Sequence, residues 1–179
     1  MYQFNLLYDK RDAFEESIRV PMLAYAPGLI APGTKVTQMI QNIDIAPTLL
    51  DLAGIEPPDS AAMDGRSFLP LLQGTSVPWR DALFYEYYWE WNFPATPTVF
   101  AIRTDRYKYI FYQGVWDHDG FYDLKTDPHE RHNLIGVPIY REQIETMKQR
   151  LFDELERNGG LHIPVRRPLG ERLDQRKNP

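Results

Sequence analysis

The segment from Asp9 to Gly28 sets the tightest limit on what this chain can fold into. It places seven charged residues in its first eleven positions, Asp9 to Arg19, then turns into Val20, Met22, Leu23, Ala24 and Tyr25, an apolar run broken only by Pro21. Pro27-Gly28 ends the run. Helices usually need about ten residues or more, so a run this short predicts a buried strand. A strand with no polar face belongs in a parallel sheet covered on both sides. Its charged head then lies at one end of the strand, where open α/β sheets place their sites. Such a strand needs neighbours for its backbone groups, and the chain offers few.

Further along, Asp44 is placed to cap a helix with Pro47 in its first turn. Ile45, Ala46, Leu49, Leu50 and Ala53 form one apolar face of that helix, and Gly54 stops it. Ser67 can cap a brief helical turn through Leu72. From Trp79 to Phe93 the chain is crowded with aromatics. Strands are then expected at 98–103, 107–113 and 120–124, with turns at Asp105-Arg106 and 117–120. Their close spacing, without helical crossovers, predicts an antiparallel meander. Tyr140, Ile144, Met147, Leu151 and Leu155 fall on one face of a helix over 139–157, preceded by Pro138 and ended by Gly159-Gly160. That helix should pack on one face of the meander. The expected organisation is an α/β segment over 1–76, a small α+β domain over 77–160 with an antiparallel sheet and a C-terminal helix, and an extended basic tail over 161–179.

A formal charge of −5 argues against a general nucleic-acid binder. No apolar run approaches the length of a membrane-spanning helix. The chain has no cysteine, hence no disulfide and no thiolate ligand. His129 and His132 are three residues apart in a Pro-started turn without a third ligand, which reads as a connector.

Five blocks, in order, resemble formylglycine-dependent (type I) sulfatases, which are arylsulfatase-like members of the alkaline-phosphatase superfamily. Asp9-Lys10-Arg11 precedes Glu15-Glu16-Ser17-Ile18-Arg19-Val20-Pro21, as an Asp-Lys-Arg triplet precedes Glu-Glu-Ser-x-Arg-Val-Pro in that family. The next blocks are Asn42 through Gly54, and Met63-Asp64-Gly65-Arg66-Ser67 through Leu72. Then come Arg103-Thr104-Asp105-Arg106-Tyr107-Lys108-Tyr109, and Phe121-Tyr122-Asp123-Leu124 with Asp127-Pro128, Glu130 and Asn133-Leu134.

The resemblance implies the C-terminal third of an enzyme with an alkaline-phosphatase-like α/β fold that hydrolyses sulfate esters. Lys10 then corresponds to a lysine that grips the sulfate, since an ammonium donates to sulfate oxygens and offsets charge growing in the transition state. Trp89 and Trp91, in the aromatic run, are candidates for stacking on a sulfated sugar or aryl group, set against plain core packing. The resemblance places the nucleophile motif, Cys or Ser followed by x-Pro-x-Arg, in a missing N-terminal portion, together with the carboxylates that hold calcium. On this reading the isolated chain lacks formylglycine and metal ligands, and its partners are that upstream portion and a sulfated small molecule or saccharide. Two alternatives stay open: a non-catalytic sulfated-saccharide-binding or interaction module, and a phosphonate- or phosphodiester-hydrolysing relative. The particular ester and the compartment are left open.

Overall fold

The computed structural model describes residues 11–57, 61–90, 97–113 and 118–161. Among the described residues two compact units form, one from residues 11–20 with 84–161, the other from residues 21–83.

The first unit is built around a four-stranded sheet in which neighbours in sequence are neighbours in space, β1 (Ala82–Tyr87), β2 (Thr98–Thr104), β3 (Tyr107–Gln113) and β4 (Gly120–Asp123). The strands β2, β3 and β4 are antiparallel, with Ala101 opposite Ile110, Arg103 opposite Lys108 and Lys108 opposite Tyr122. This is the expected meander. The β2–β3 turn is closed by Thr104, whose hydroxyl accepts from the Tyr107 backbone N–H at 3.0 Å.

Side chains alternate across the pleat, so the sheet has two distinct faces. One carries Phe100, Ile102, Tyr109, Phe111 and Phe121 and is covered by the helix α4 (Arg141–Arg157). Ile144, Met147, Leu151 and Leu155 are the buried residues of that helix. Phe152 meets Phe111 edge-on at 5.3 Å between ring centres, and Tyr140, in the 3-10 turn Pro138–Tyr140, lies 5.7 Å from Phe121. The expected four-residue periodicity is realised, and the helix stops where Gly159 turns left-handed at φ 74°. The opposite face carries Val99, Ala101, Ile110 and Tyr122, packed with Leu124 and Ala13, with Phe14, Tyr85 and Tyr112 at the margin. A helix therefore covers one side of the sheet and the Asp12–Glu15 segment covers the other.

In the second unit a 3-10 turn (Asn42–Asp44) leads into the helix α2 (Ile45–Ala53), and a short helix α3 (Leu69–Leu72) follows, α1 being the single turn Glu15–Ile18 in the first unit. Gly54, at φ 66°, ends α2 as expected, with the Ile55 N–H returning to the Leu50 carbonyl at 3.0 Å.

Two expectations are corrected. Val20 to Tyr25 belong to no strand, and Leu23 and Tyr25 are 98% and 92% exposed. No described strand lies alongside to satisfy their backbone groups, so the run stays hydrated. Asp44 does not cap α2, because its carboxylate is committed elsewhere. The apolar face of α2 is left open, with Leu49 60% exposed and Ile45 and Leu52 also exposed.

Candidate functional site

The charged head beginning at Asp9 is the chemically richest part of the sequence, and its described portion is clamped from several sides. Asp12 is buried; its Oδ1 accepts from the Ala13 N–H at 2.7 Å and from the Tyr112 hydroxyl, on β3, at 2.9 Å. Lys108, also on β3, is 0% exposed. Its ammonium donates to the Ala13 carbonyl at 2.8 Å and pairs with Glu15 Oε1 at 2.8 Å and Glu130 Oε1 at 2.7 Å. Glu130 Oε2 accepts from the Glu15 N–H at 2.6 Å. Arg103, opposite Lys108 across the β2–β3 ladder, reaches Glu15 Oε1 at 3.3 Å. Phe14 seals the arrangement against Tyr122, 5.9 Å between ring centres.

Apart from Tyr112, these residues come from three of the five blocks noted in the sequence. They meet because the β2–β3 register sets Arg103 and Lys108 side by side on the face that the Asp12–Glu15 segment covers. Glu130 is delivered by the turn after β4. Its φ of 51° makes it the one non-glycine with positive φ among the described residues. An L-residue in that region costs about 1–2 kcal/mol.

The two carboxylates differ electrostatically. Burial pushes Glu15 up, but the Lys108 ammonium and the Arg103 guanidinium outweigh it and hold the carboxyl below its ordinary value. For Glu130 burial prevails over Lys108, and the neighbouring Glu15 charge adds to it, so its carboxyl sits above the ordinary value. Glu130 Oε1 is paired with Lys108 by distance yet accepts no well-aligned hydrogen bond.

A second clamp lies in the other unit. Asp44, fully buried, receives both guanidinium nitrogens of Arg80, with Nη2 2.7 Å from Oδ1. It also accepts the backbone N–H groups of Gln41 at 2.8 Å and Arg66 at 3.0 Å. Burial raises its pKa, but these donors prevail and the carboxyl ends below the usual range. The Arg66 and Arg80 guanidinium groups lie 4.1 Å and 5.1 Å from the Trp79 ring centre, and the Trp79 indole donates to the Met39 carbonyl at 2.8 Å. This accounts for Ser76-Val77-Pro78-Trp79-Arg80, which satisfies the Ser-x-Pro-x-Arg pattern within this chain and corrects the expectation that the pattern lies only upstream. Arg80 is bound by Asp44 and Ser76 is exposed, so the string serves a structural clamp.

Of the sequence-derived site residues, Lys10 and Trp91 lie outside the described residues. Trp89 is 49% exposed, just beyond β1, with its N–H donating to Thr98 Oγ1 at 2.9 Å. His129 and His132 are exposed and face Glu16 and Asp127, respectively. Among the described residues no three His, Asp or Glu side chains are grouped to hold a metal ion, so calcium finds no fitting ligand set there. Lys108, Glu15, Glu130 and Arg103 were not singled out from the sequence. The available signal was a lysine in the apolar register of a strand, alternating with Ile110 and Tyr112.

A family model described as "N-sulphoglucosamine sulphohydrolase, C-terminal" matches residues 5–157. An N-acetylglucosamine-6-O-sulfatase of Bacteroides thetaiotaomicron is 35% identical over 156 residues, 84% of this chain and 27% of the relative. A solved structure in complex with its substrate, D-glucosamine-2-N,6-O-disulfate, superposes with a TM-score of 0.68 at 30% identity, covering 76% of this chain and 28% of the other. The phosphonate monoester hydrolase of Agrobacterium radiobacter gives a TM-score of 0.58 at 26% identity, covering 68% and 26%. The chain thus spans little more than a quarter of the length of the proteins it resembles.

Proposed function

Because the chain belongs to the family of N-sulphoglucosamine sulphohydrolase C-terminal regions, we propose that it is the C-terminal portion of a sulfatase, supplying a sulfate-contacting lysine, Lys10, and a domain at the mouth of the substrate site. Its fold class is that of the alkaline-phosphatase-like sulfatases, represented here by the antiparallel sheet and C-terminal helix. The substrate class is a sulfated amino sugar, a reading supported by the names of the sulfatase relative and of the solved complex. Calcium and formylglycine belong, on this proposal, to the upstream portion.

The observation that carries the reading is the clamp on Asp12–Glu15. A lysine ammonium binds sulfate at a lower entropic cost when its backbone is held. Lys10 stands two residues before Asp12, where a buried carboxylate, a buried lysine and a buried glutamate hold the chain. The ammonium donates to non-bridging sulfate oxygens and balances the negative charge that grows as the ester bond breaks. Trp89 is proposed as an apolar wall for the sugar, in keeping with its exposure. Trp91 is proposed to share that role.

The test is a hybrid in which this chain replaces the matching C-terminal quarter of the Bacteroides N-acetylglucosamine-6-O-sulfatase. The hybrid should release sulfate from a 6-sulfated glucosamine, and Lys10→Ala should lower kcat by about 10²-fold, as loss of one charge-stabilising donor does. Equal turnover with and without Lys10 would contradict the assignment. The likeness to a phosphonate monoester hydrolase supports a second reading, phosphonate or phosphodiester hydrolysis. The nucleophile encoded upstream distinguishes the two.

A further inference from the structure

We propose that Lys108 is a positioning residue for Lys10, acting through the backbone of Asp12–Glu15; this rests on the reading of Lys10 as the sulfate contact. A lysine whose side chain is wholly buried carries a large desolvation cost, and apolar residues of the same volume commonly stabilise a core better. A lysine kept there is therefore telling when all its partners bear on one segment. The ammonium holds the Ala13 carbonyl at 2.8 Å and the Glu15 carboxylate at 2.8 Å. Its third partner, Glu130, holds the Glu15 N–H through its other oxygen at 2.6 Å. Tyr112, four residues along the same strand and on the same face, fixes Asp12 at 2.9 Å. One strand face thus grips the chain at residues 12, 13 and 15, immediately after the Lys10-Arg11 pair. Arg103 braces Glu15 from the adjacent strand. The grip on the Ala13 carbonyl is directed at the backbone, and Lys10 is three residues before Ala13 in the chain.

The hybrid sulfatase provides the test through a double-mutant cycle. Lys108→Met should lower kcat by about 10²-fold, the effect of displacing a reacting group by about an ångström, with little change in KM. In a Lys10→Ala background the same substitution should cost less than about twofold in kcat, because Lys108 acts only through Lys10. Should Lys108→Met fail to give a folded protein, Tyr112→Phe, which removes a single hydroxyl, enters the same cycle with a smaller drop, about threefold, and the same loss of effect without Lys10. Multiplicative effects in the folded variant tested would overturn the proposal and leave Lys10 as the sulfate contact. So would an unchanged kcat in that variant. If Lys10→Ala itself changes nothing, the assignment of Lys10 fails first, and the role of Lys108 with it.

Discussion

At the residue scale the fully buried charges Asp44 and Lys108 are each paired with an opposite charge. Asp44 shows the consequence most plainly. Its folded-state pKa is depressed, so its contribution to stability is present above the ordinary aspartate range and is lost as pH falls through the folded value. Glu15 has the same sign, and Glu130, raised by burial, has the opposite one, losing its contribution as pH rises through its folded value. Unfolding free energy should therefore decline between about pH 5 and about pH 1 in chemical denaturation, and Asp44→Asn should flatten part of that slope. Arg80→Ala leaves a buried carboxylate without its guanidinium and should cost about 3–5 kcal/mol at neutral pH; a loss below about 1 kcal/mol would remove Asp44 from this role. These pairs were only partly legible in the sequence. Asp44 was visible as a polar residue before a helix, and capping was the local reading of it. Its partner is 36 residues away, and no local pattern joins Asp44 to Arg80. Lys108 was hidden in a similar way. Its block was recognised, but the glutamates it meets are set by strand register and by a turn with positive φ.

At the element scale, most of the small α+β part could be read in advance. The strands β2, β3 and β4 follow one another too closely for helical crossovers, and α4 repeats its apolar residues every three or four positions, so local pattern and tertiary packing agree. Leu151, fully buried between α4 and the sheet, should cost about 2–5 kcal/mol on substitution by alanine, measured as a shift in the denaturation midpoint. Gly65 makes a sharper prediction from geometry. A Cβ there would overlap the Ile43 carbonyl and crowd the Asp44 N–H, so Gly65→Ala should destabilise the second unit by displacing the Asp44 clamp. Near-wild-type stability of Gly65→Ala would show that the Asn42–Asp44 turn can yield. The run from Val20 to Tyr25 departs from its expected strand for a different reason: its composition is that of an interior strand, but no described strand pairs with it.

At the scale of the whole molecule, the features that look unfinished lie together in sequence. Leu23, Tyr25, Ile45, Leu49, Leu52 and Ile55 are exposed, within a chain that spans about a quarter of its sulfatase relatives. Exposed apolar side chains of this kind are what a covering partner would bury. On the proposed function the upstream portion supplies that cover together with the nucleophile and the metal. The most direct measurement is sulfate release from a 6-sulfated glucosamine by the purified chain, set beside the same chain joined to the upstream portion of the Bacteroides relative. Turnover should be absent in the first, present in the second, and dependent there on Lys10. Hydrolysis by the isolated chain that disappears in Lys10→Ala would contradict it.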